Sequence, residues 1–290
     1  MSNRVLVVGA NGMLGGSLFR YLSKLHGFEV LGTVRSLEAK SALNQQGFEN
    51  TVSGVDITDF QTISSVISDF RPDYVLNCVG VIKQLDASKA PIPSITINSL
   101  LPHQLAESCD NFDAKLVHFS TDCVFLGRSG LYNESDTPDA ADLYGRSKLL
   151  GEVDYGHHLT LRTSIIGHEL GKSVSLVDWF LSQHGAVKGY RKAIFSGMPT
   201  VFVAEFLKDH VFGKNVSGLY HLSVDPIDKN TLLQLINNAY LTGAEIAPCD
   251  DHVIDRSLNS DALRAITGFN PPTWPQLIQK MREEYLEYFA

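Results

Sequence analysis

Tyr144 and Lys148 stand four residues apart in Leu143-Tyr144-Gly145-Arg146-Ser147-Lys148-Leu149-Leu150-Gly151-Glu152, a stretch with helical character. Residues at i and i+4 share a helix face, so a phenol and an ammonium are brought together. A nearby cation favours the phenolate and pulls a pKa that starts near ~10 toward the working range. The tyrosine can then exchange a proton with a substrate oxygen. Such pairs are common on exposed helices, and the neighbours decide the matter. Leu116-Val117-His118-Phe119-Ser120-Thr121-Asp122-Cys123-Val124-Phe125 reads as a strand that delivers two hydroxyls at its carboxyl end. Ligands sit at that end of a doubly wound sheet, and Ser120 or Thr121 can hydrogen-bond the oxygen on which Tyr144 acts. Asp122 reads as a cap for the following turn, because its charge beside a developing alkoxide is unfavourable.

A second group of residues handles phosphate. Gly9-Ala10-Asn11-Gly12-Met13-Leu14-Gly15 joins the first strand to the first helix. Glycines there allow the tight turn and let backbone N–H groups and a helix N-terminus approach a pyrophosphate, which marks a dinucleotide site. The spacing is GxxGxxG. In such folds an acidic residue about 20 positions on takes the ribose 2′-hydroxyl. This chain has Arg35-Ser36 at that point. A guanidinium and a hydroxyl hold a 2′-phosphate that a carboxylate would repel, so NADP is expected, with NAD as the alternative.

These groups need elements to position them, and the first half of the chain supplies an alternation. Strands are predicted at Arg4–Val8, Glu29–Val34, Thr51–Val55, Tyr74–Val79 and Lys115–Ser120, and helices at Gly12–Leu25, Leu37–Gln46, from Asp59 to Phe70 and over Ile95–Ser108. No hairpin signal interrupts them. The fold class expected is therefore α/β, a Rossmann-type doubly wound parallel sheet with helices on both faces. The second half has shorter strand-like pieces at Leu159–Thr163, Gly218–Leu222 and His252–Asp255 between amphipathic helices. It reads as a smaller helix-rich cap. The expected division is 1–166 for the cofactor sheet and 167–290 mostly for the cap, with a segment near 200–224 returning to the first. A cleft between them is the expected ligand site.

Composition narrows the partners. The 290 residues carry 24 Lys+Arg against 32 Asp+Glu, a net charge of −8, which gives no general attraction for nucleic acid or anionic lipid. Anionic ligands must be held by a few placed donors. Cys78, Cys109, Cys123 and Cys249 show no metal or disulfide spacing. No apolar run suits a signal peptide or a membrane span, so a cytoplasmic protein is expected. His103, His157, His158 and His168 share no ligand spacing, and none is assigned to metal.

Taken together, the residues resemble an extended short-chain dehydrogenase/reductase, most closely the dTDP-4-dehydrorhamnose reductase branch. The matching stretches are the glycine loop, Asn77-Cys78-Val79-Gly80, Ser120-Thr121-Asp122 with Val124-Phe125, Tyr144-Gly145-Arg146-Ser147-Lys148, Leu161-Arg162-Thr163-Ser164, Gly197-Met198-Pro199-Thr200 and Asp255-Arg256-Ser257. The resemblance implies reduction, by NADPH, of the 4-keto group of a nucleotide-activated 6-deoxy sugar. It makes Tyr144 the acid. Lys148 would hold the nicotinamide ribose and depress the Tyr144 pKa, while Ser120 and Thr121 orient the carbonyl. It places Asp56 and Ile57 beside adenine, Cys78, Val79 and Gly80 beside the cofactor, and Asn98 where an asparagine steadies the active-site backbone or meets substrate. Lys83 becomes an oxyanion or phosphate donor. Arg191 and Phe195 fall where a loop closes over the nucleotide sugar, and Arg256 matches a diphosphate-binding arginine. A homodimer is compatible with the resemblance.

The chain departs from the branch at two places. Cys123 stands where a tyrosine is usual after Ser-Thr-Asp, and Ile165 where an aromatic residue follows Arg-Thr-Ser. Both would border the sugar. Two other functions share the fold: an NADP-binding regulatory subunit like that of methionine adenosyltransferase, and a nucleotide-sugar epimerase or dehydratase.

Overall fold

The computed structural model describes residues 2–81, 90–170 and 175–290. Six strands, β1 (Asn3–Val8), β2 (Phe28–Thr33), β3 (Thr51–Val52), β4 (Tyr74–Asn77), β5 (Lys115–Thr121) and β6 (Leu159–Thr163), alternate with helices α1 (Met13–Ser23), α2 (Leu37–Gln45), α3 (Phe60–Phe70), α4 (Pro91–Ser94), α5 (Leu101–Asp110) and α6 (Leu143–Leu150). A later strand, β11 (Gly218–His221), pairs in parallel with β6. The result is one seven-stranded parallel sheet in the order β11-β6-β5-β4-β1-β2-β3. The order reverses between β1 and β4, whose carboxyl ends Val8 and Asn77 lie side by side. A crevice opens at such a switch point.

Burial explains why these runs are strands. Val5 to Val8 are fully buried, as a strand covered on both faces requires. One face packs Val5, Val7 and Val117 against α1, α8 (Thr200–His210) and α11 (Trp274–Tyr288); the other packs Leu6, Val8 and Leu116 against α3 and α5.

The helix expected over Ile95–Ser108 is broken into α4, a π-helical turn at Ile95–Leu100, and α5. Pro102 has no N–H to give the carbonyl of Asn98, which loosens the regular ladder at that turn.

The remaining elements are β7 (Ile165–Ile166), α7 (Leu176–Leu181), β8 (Val187–Tyr190), β9 (Ala193–Phe195), β10 (Met198–Pro199), β12 (Ile227–Asp228), α9 (Lys229–Tyr240), β13 (Ile246–Cys249), β14 (Ile254–Asp255) and α10 (Asp261–Thr267). They hold more β-structure than the sequence suggested. β8 pairs with β13, β9 lies between β12 and β14, and β7 pairs with β10. No helix of the described residues is long and apolar enough to cross a membrane.

Candidate active site

The carboxyl ends of β1, β4 and β5 open into a cleft of about 840 Å³, whose far wall is built by β8, β9, α9 and β14. Asn11, Gly12, Met13 and Leu14 form one end. Gly12 caps α1 with no side-chain acceptor, so the first N–H groups of an 11-residue helix are left for a ligand. The loop is tight. Gly9 has φ +86°, and a Cβ at Gly15 would lie 2.1 Å from the Gly9 carbonyl oxygen. Cys78, Val79 and Gly80 line the adjoining wall, as a dinucleotide passing from α1 toward β4 would require.

Thr121 ends β5, and its hydroxyl accepts from Cys123 N at 3.1 Å and donates to Asp122 Oδ1 at 3.2 Å. The same hydroxyl lies near enough to the Tyr144 phenol to favour its ionised form. α6 carries Tyr144 close to this turn because position 145 is glycine: a Cβ there would lie 2.3 Å from the Cys123 carbonyl oxygen. Lys148, one helical turn on, is buried and donates to the Phe119 carbonyl at 2.6 Å.

The electrostatics differ from the expectation that Lys148 lowers the Tyr144 pKa. Loss of solvent pushes the phenol above its ordinary range, reinforced by Cys123 and opposed by the Thr121 hydrogen bond. Burial also lowers Lys148 to about 8, and Glu152 acts against that fall. The ammonium donates to a backbone carbonyl, and burial decides the state of the phenol.

Ser120 requires a correction. It borders the cleft, but its hydroxyl donates to Glu152 Oε1 at 2.6 Å, and Glu152 is paired with buried Arg162 at 2.8 Å. Successive side chains on a strand point oppositely. Thr121 is the hydroxyl that acts on the Tyr144 phenol.

Asn98 is likewise spent on the scaffold and does not line the cleft. Its side chain accepts from Val81 N at 2.8 Å and donates to Val81 O and Ser147 Oγ, each at 3.1 Å. It ties the segment after β4 to α6. Arg191, expected over the nucleotide sugar, instead lies on the exterior with a bidentate bond to Asp250 at 2.8 and 2.7 Å. Phe195, Cys123, Ile165 and Arg256 do line the cleft. Lys83 lies outside the described residues.

At the adenosine end, Arg35 is exposed and not among the cleft-lining residues. Ser36 caps α2 by accepting from Ala39 N at 3.2 Å. Asp56 accepts from the N–H and hydroxyl of Thr58, which with the Arg35 charge hold its carboxyl below the usual range. Ile57 packs on the apolar core beneath.

Tyr190, in the segment expected to close over the nucleotide sugar, lines the far wall with Phe195, and sequence reasoning missed Lys229 and His252 beside them. Nothing in their local spacing marks a cleft. It also set the histidines apart, whereas His157 and His158 meet Asp110 with ligand atoms within 4.8 Å of one another. Leu116 N donates to His158 Nδ1 at 3.2 Å, so Nε2 bears the hydrogen and faces Asp110 as a donor rather than as a ligand.

A glycine-loop helix at the head of a parallel sheet, with Thr121, Tyr144 and Lys148 at the carboxyl ends of its strands, defines the extended short-chain dehydrogenase/reductase class. Within it, the chain belongs to the RmlD substrate binding domain family, whose model matches residues 3–286. It is 24% identical over 305 aligned positions to the dTDP-4-dehydrorhamnose reductase of Aggregatibacter actinomycetemcomitans, covering 96% of this chain and 98% of that one. A 147-residue stretch is 35% identical to the probable low-salt glycan biosynthesis reductase Agl14 of Haloferax volcanii, spanning 50% of this chain and only 46% of that relative. The fold matches that of Bacillus anthracis dTDP-4-dehydrorhamnose reductase, solved with NADP, with TM-score 0.79, 21% identity and coverage of 98% and 99%.

Proposed function

We propose that the protein is an NADPH-dependent reductase of a nucleotide-activated 4-keto-6-deoxy sugar, serving deoxysugar precursor synthesis in the cytoplasm. The observation that carries this reading is the placement of Thr121 beside Tyr144, with Lys148 one turn away on the same helix, in a cleft that begins at the α1 N-terminus. NADPH, when bound, supplies the hydride. The α1 N-terminus and the glycine loop would hold its pyrophosphate, Arg35 its 2′-phosphate and Lys148 its nicotinamide ribose.

The residues of the chain supply the rest. Burial keeps the Tyr144 phenol protonated, the state required of an acid that delivers a proton to the substrate carbonyl oxygen. The Thr121 hydroxyl hydrogen-bonds the same oxygen and orients the carbonyl. Apolar Ile165, Phe195 and Leu233 exclude water from the sugar side.

A panel of dTDP-, UDP- and GDP-linked 4-keto-6-deoxy sugars, followed by NADPH absorbance, tests the reading. Turnover that is lost in Tyr144→Phe supports it. NADPH binding without turnover of any panel member would turn the case toward a binding subunit. We also propose a homodimer, supported by exposed Ile92, Ile95 and Leu100 on the α4–α5 segment and Leu150 at the end of α6, which packs on the π-helical turn. Light scattering of wild-type protein and Leu150→Glu checks that assembly.

A further inference from the structure

The cleft has a further wall beside the glycine loop. Glu169 and Leu170, which follow β7, and Ser175, Leu176 and Trp179 at the start of α7 line the cleft together with Met13, the first residue of α1. The approach to α1 is close, since a Cβ on Gly167 would lie 3.4 Å from Met13 Cγ and 2.7 Å from Thr200 Oγ1. This wall therefore borders the N–H groups left open at the head of α1.

One carboxylate gathers the wall. Asp178 Oδ2 accepts from Glu169 N and from Ser175 Oγ, each at 3.0 Å, and Ser175 Oγ accepts in turn from Asp178 N at 3.0 Å. Oδ1 faces His168 Nδ1 at 2.5 Å. An ionised carboxylate only accepts, so Nδ1 bears the hydrogen and donates it; in the neutral ring Nε2 then accepts, and the Tyr240 hydroxyl of α9 donates to it at 2.8 Å. Burial raises the Tyr240 phenol, and Glu284 and Asp178 act the same way, which keeps that hydrogen on oxygen. His168 itself is buried and does not line the cleft; its ring lies 4.7 Å from that of Tyr285 and 5.4 Å from that of Phe289. Both its nitrogens are spent inside the fold. A buried network whose members are all paired is rigid, and this one joins the wall beside α1 to α9, which builds the opposite side of the cleft.

We infer, on the reading that the cleft takes NADPH, that His168 is a positioning residue for the cofactor. It holds Asp178 against Tyr240, and through Asp178 it seats Glu169 and the start of α7 beside the nicotinamide half of the dinucleotide.

Fluorescence titration with NADPH, stopped-flow measurement of its release, and titration with 2′,5′-ADP, which carries the adenosine end without the nicotinamide, test the inference on the purified protein. His168→Phe keeps a ring against Tyr285 and Phe289 but removes both hydrogen bonds. It should weaken NADPH about tenfold and speed its release, the effect of losing a bond to a charged group, while 2′,5′-ADP affinity changes by less than about twofold. His168→Asn, whose amide can still donate to Asp178, should recover most of the affinity, and Tyr240→Phe, which removes a single hydroxyl, should cost about threefold. Unchanged NADPH affinity and release in both His168→Phe and Tyr240→Phe, or in Tyr240→Phe where it alone folds, would overturn the inference. So would an equal loss for 2′,5′-ADP, or a His168→Asn as weak as His168→Phe, either of which makes His168 a packing residue. In each of these cases wild-type binding of NADPH leaves the cofactor reading standing, whereas wild-type protein that binds no NADPH removes both.

Discussion

Lys148 is an ammonium held where its charge is disfavoured. Burial lowers it from 10.5 to about 8, and the window between these values sets its effect on stability. Inside that window the unfolded chain binds a proton that the folded chain does not, so this residue makes stability rise with pH. Below about 8 the fold bears the full penalty, roughly 3 kcal/mol at most, because the Phe119 carbonyl bond offsets part of it. Lys148→Met should therefore raise the melting temperature at pH 7, and that gain should shrink as pH passes from 8 toward 10. The same variant should lose turnover, a trade of activity for stability. Wild-type kcat/KM, which reports the free enzyme, should descend through about pH 8 as Lys148 loses its proton.

The adjacent hydroxyls separate by role. Thr121→Val should lower kcat by on the order of 10²-fold by removing a donor to the carbonyl oxygen. Ser120→Ala should cost about 1 kcal/mol of stability and spare the chemistry, because its partner is Glu152. Steady-state kinetics beside urea denaturation distinguishes the two. Sequence order put both hydroxyls at the strand end, but which one stands beside Tyr144 follows from the pleat at the last residue of β5. A shift of one residue exchanges them. Tyr144 and Lys148 were legible because a helix face fixes i and i+4, whereas the environment that raises the phenol is assembled from β5, the Cys123 turn and α6.

Among the elements, the central strands could be read because a doubly covered strand must be an unbroken apolar run, as Val5–Val8 is. The strands of the cap could not, since β9 and β14 span three and two residues and are fixed by one another across the fold. Arg191 shows the same limit. Its partner Asp250 is 59 residues away, so a cation suited to phosphate could not be seen to be already paired. The π-helical turn at Ile95–Leu100 has a functional consequence, because it presents Asn98 to both Val81 and Ser147. Asn98→Ala would leave the Val81 N–H and C=O and the Ser147 hydroxyl without this partner. A loss of about 2–4 kcal/mol is expected, with weaker NADPH binding because the segment after β4 is no longer tied to α6. Denaturation and cofactor titration check the two effects, and weakened binding without any loss of stability would count against a positioning role.

Across the whole molecule, the first and last helices are fastened together. Arg20 of α1, 2% exposed, bonds Glu284 of α11 at 3.0 Å, and its guanidinium lies 5.0 Å from each of the Tyr288 and Phe289 rings. The partners are 264 residues apart, so the helix that offers its N-terminus to the cofactor is braced by the end of the chain. Removing one member of a buried pair strands the other charge: Glu284→Ala should cost about 3–5 kcal/mol, whereas replacing both partners by apolar residues of similar size should be far milder. The comparison of Glu284→Ala, Arg20→Met and Arg20→Met/Glu284→Leu in urea measures the coupling directly. If the brace unites the chain, wild-type protein unfolds in one transition, and Glu284→Ala shifts that transition as a whole while weakening NADPH binding through α1. Two separate transitions, with only one moved by Glu284→Ala and cofactor affinity intact, would show that the cofactor sheet folds independently of α11 and that the pair does no more than hold the C-terminal helix in place.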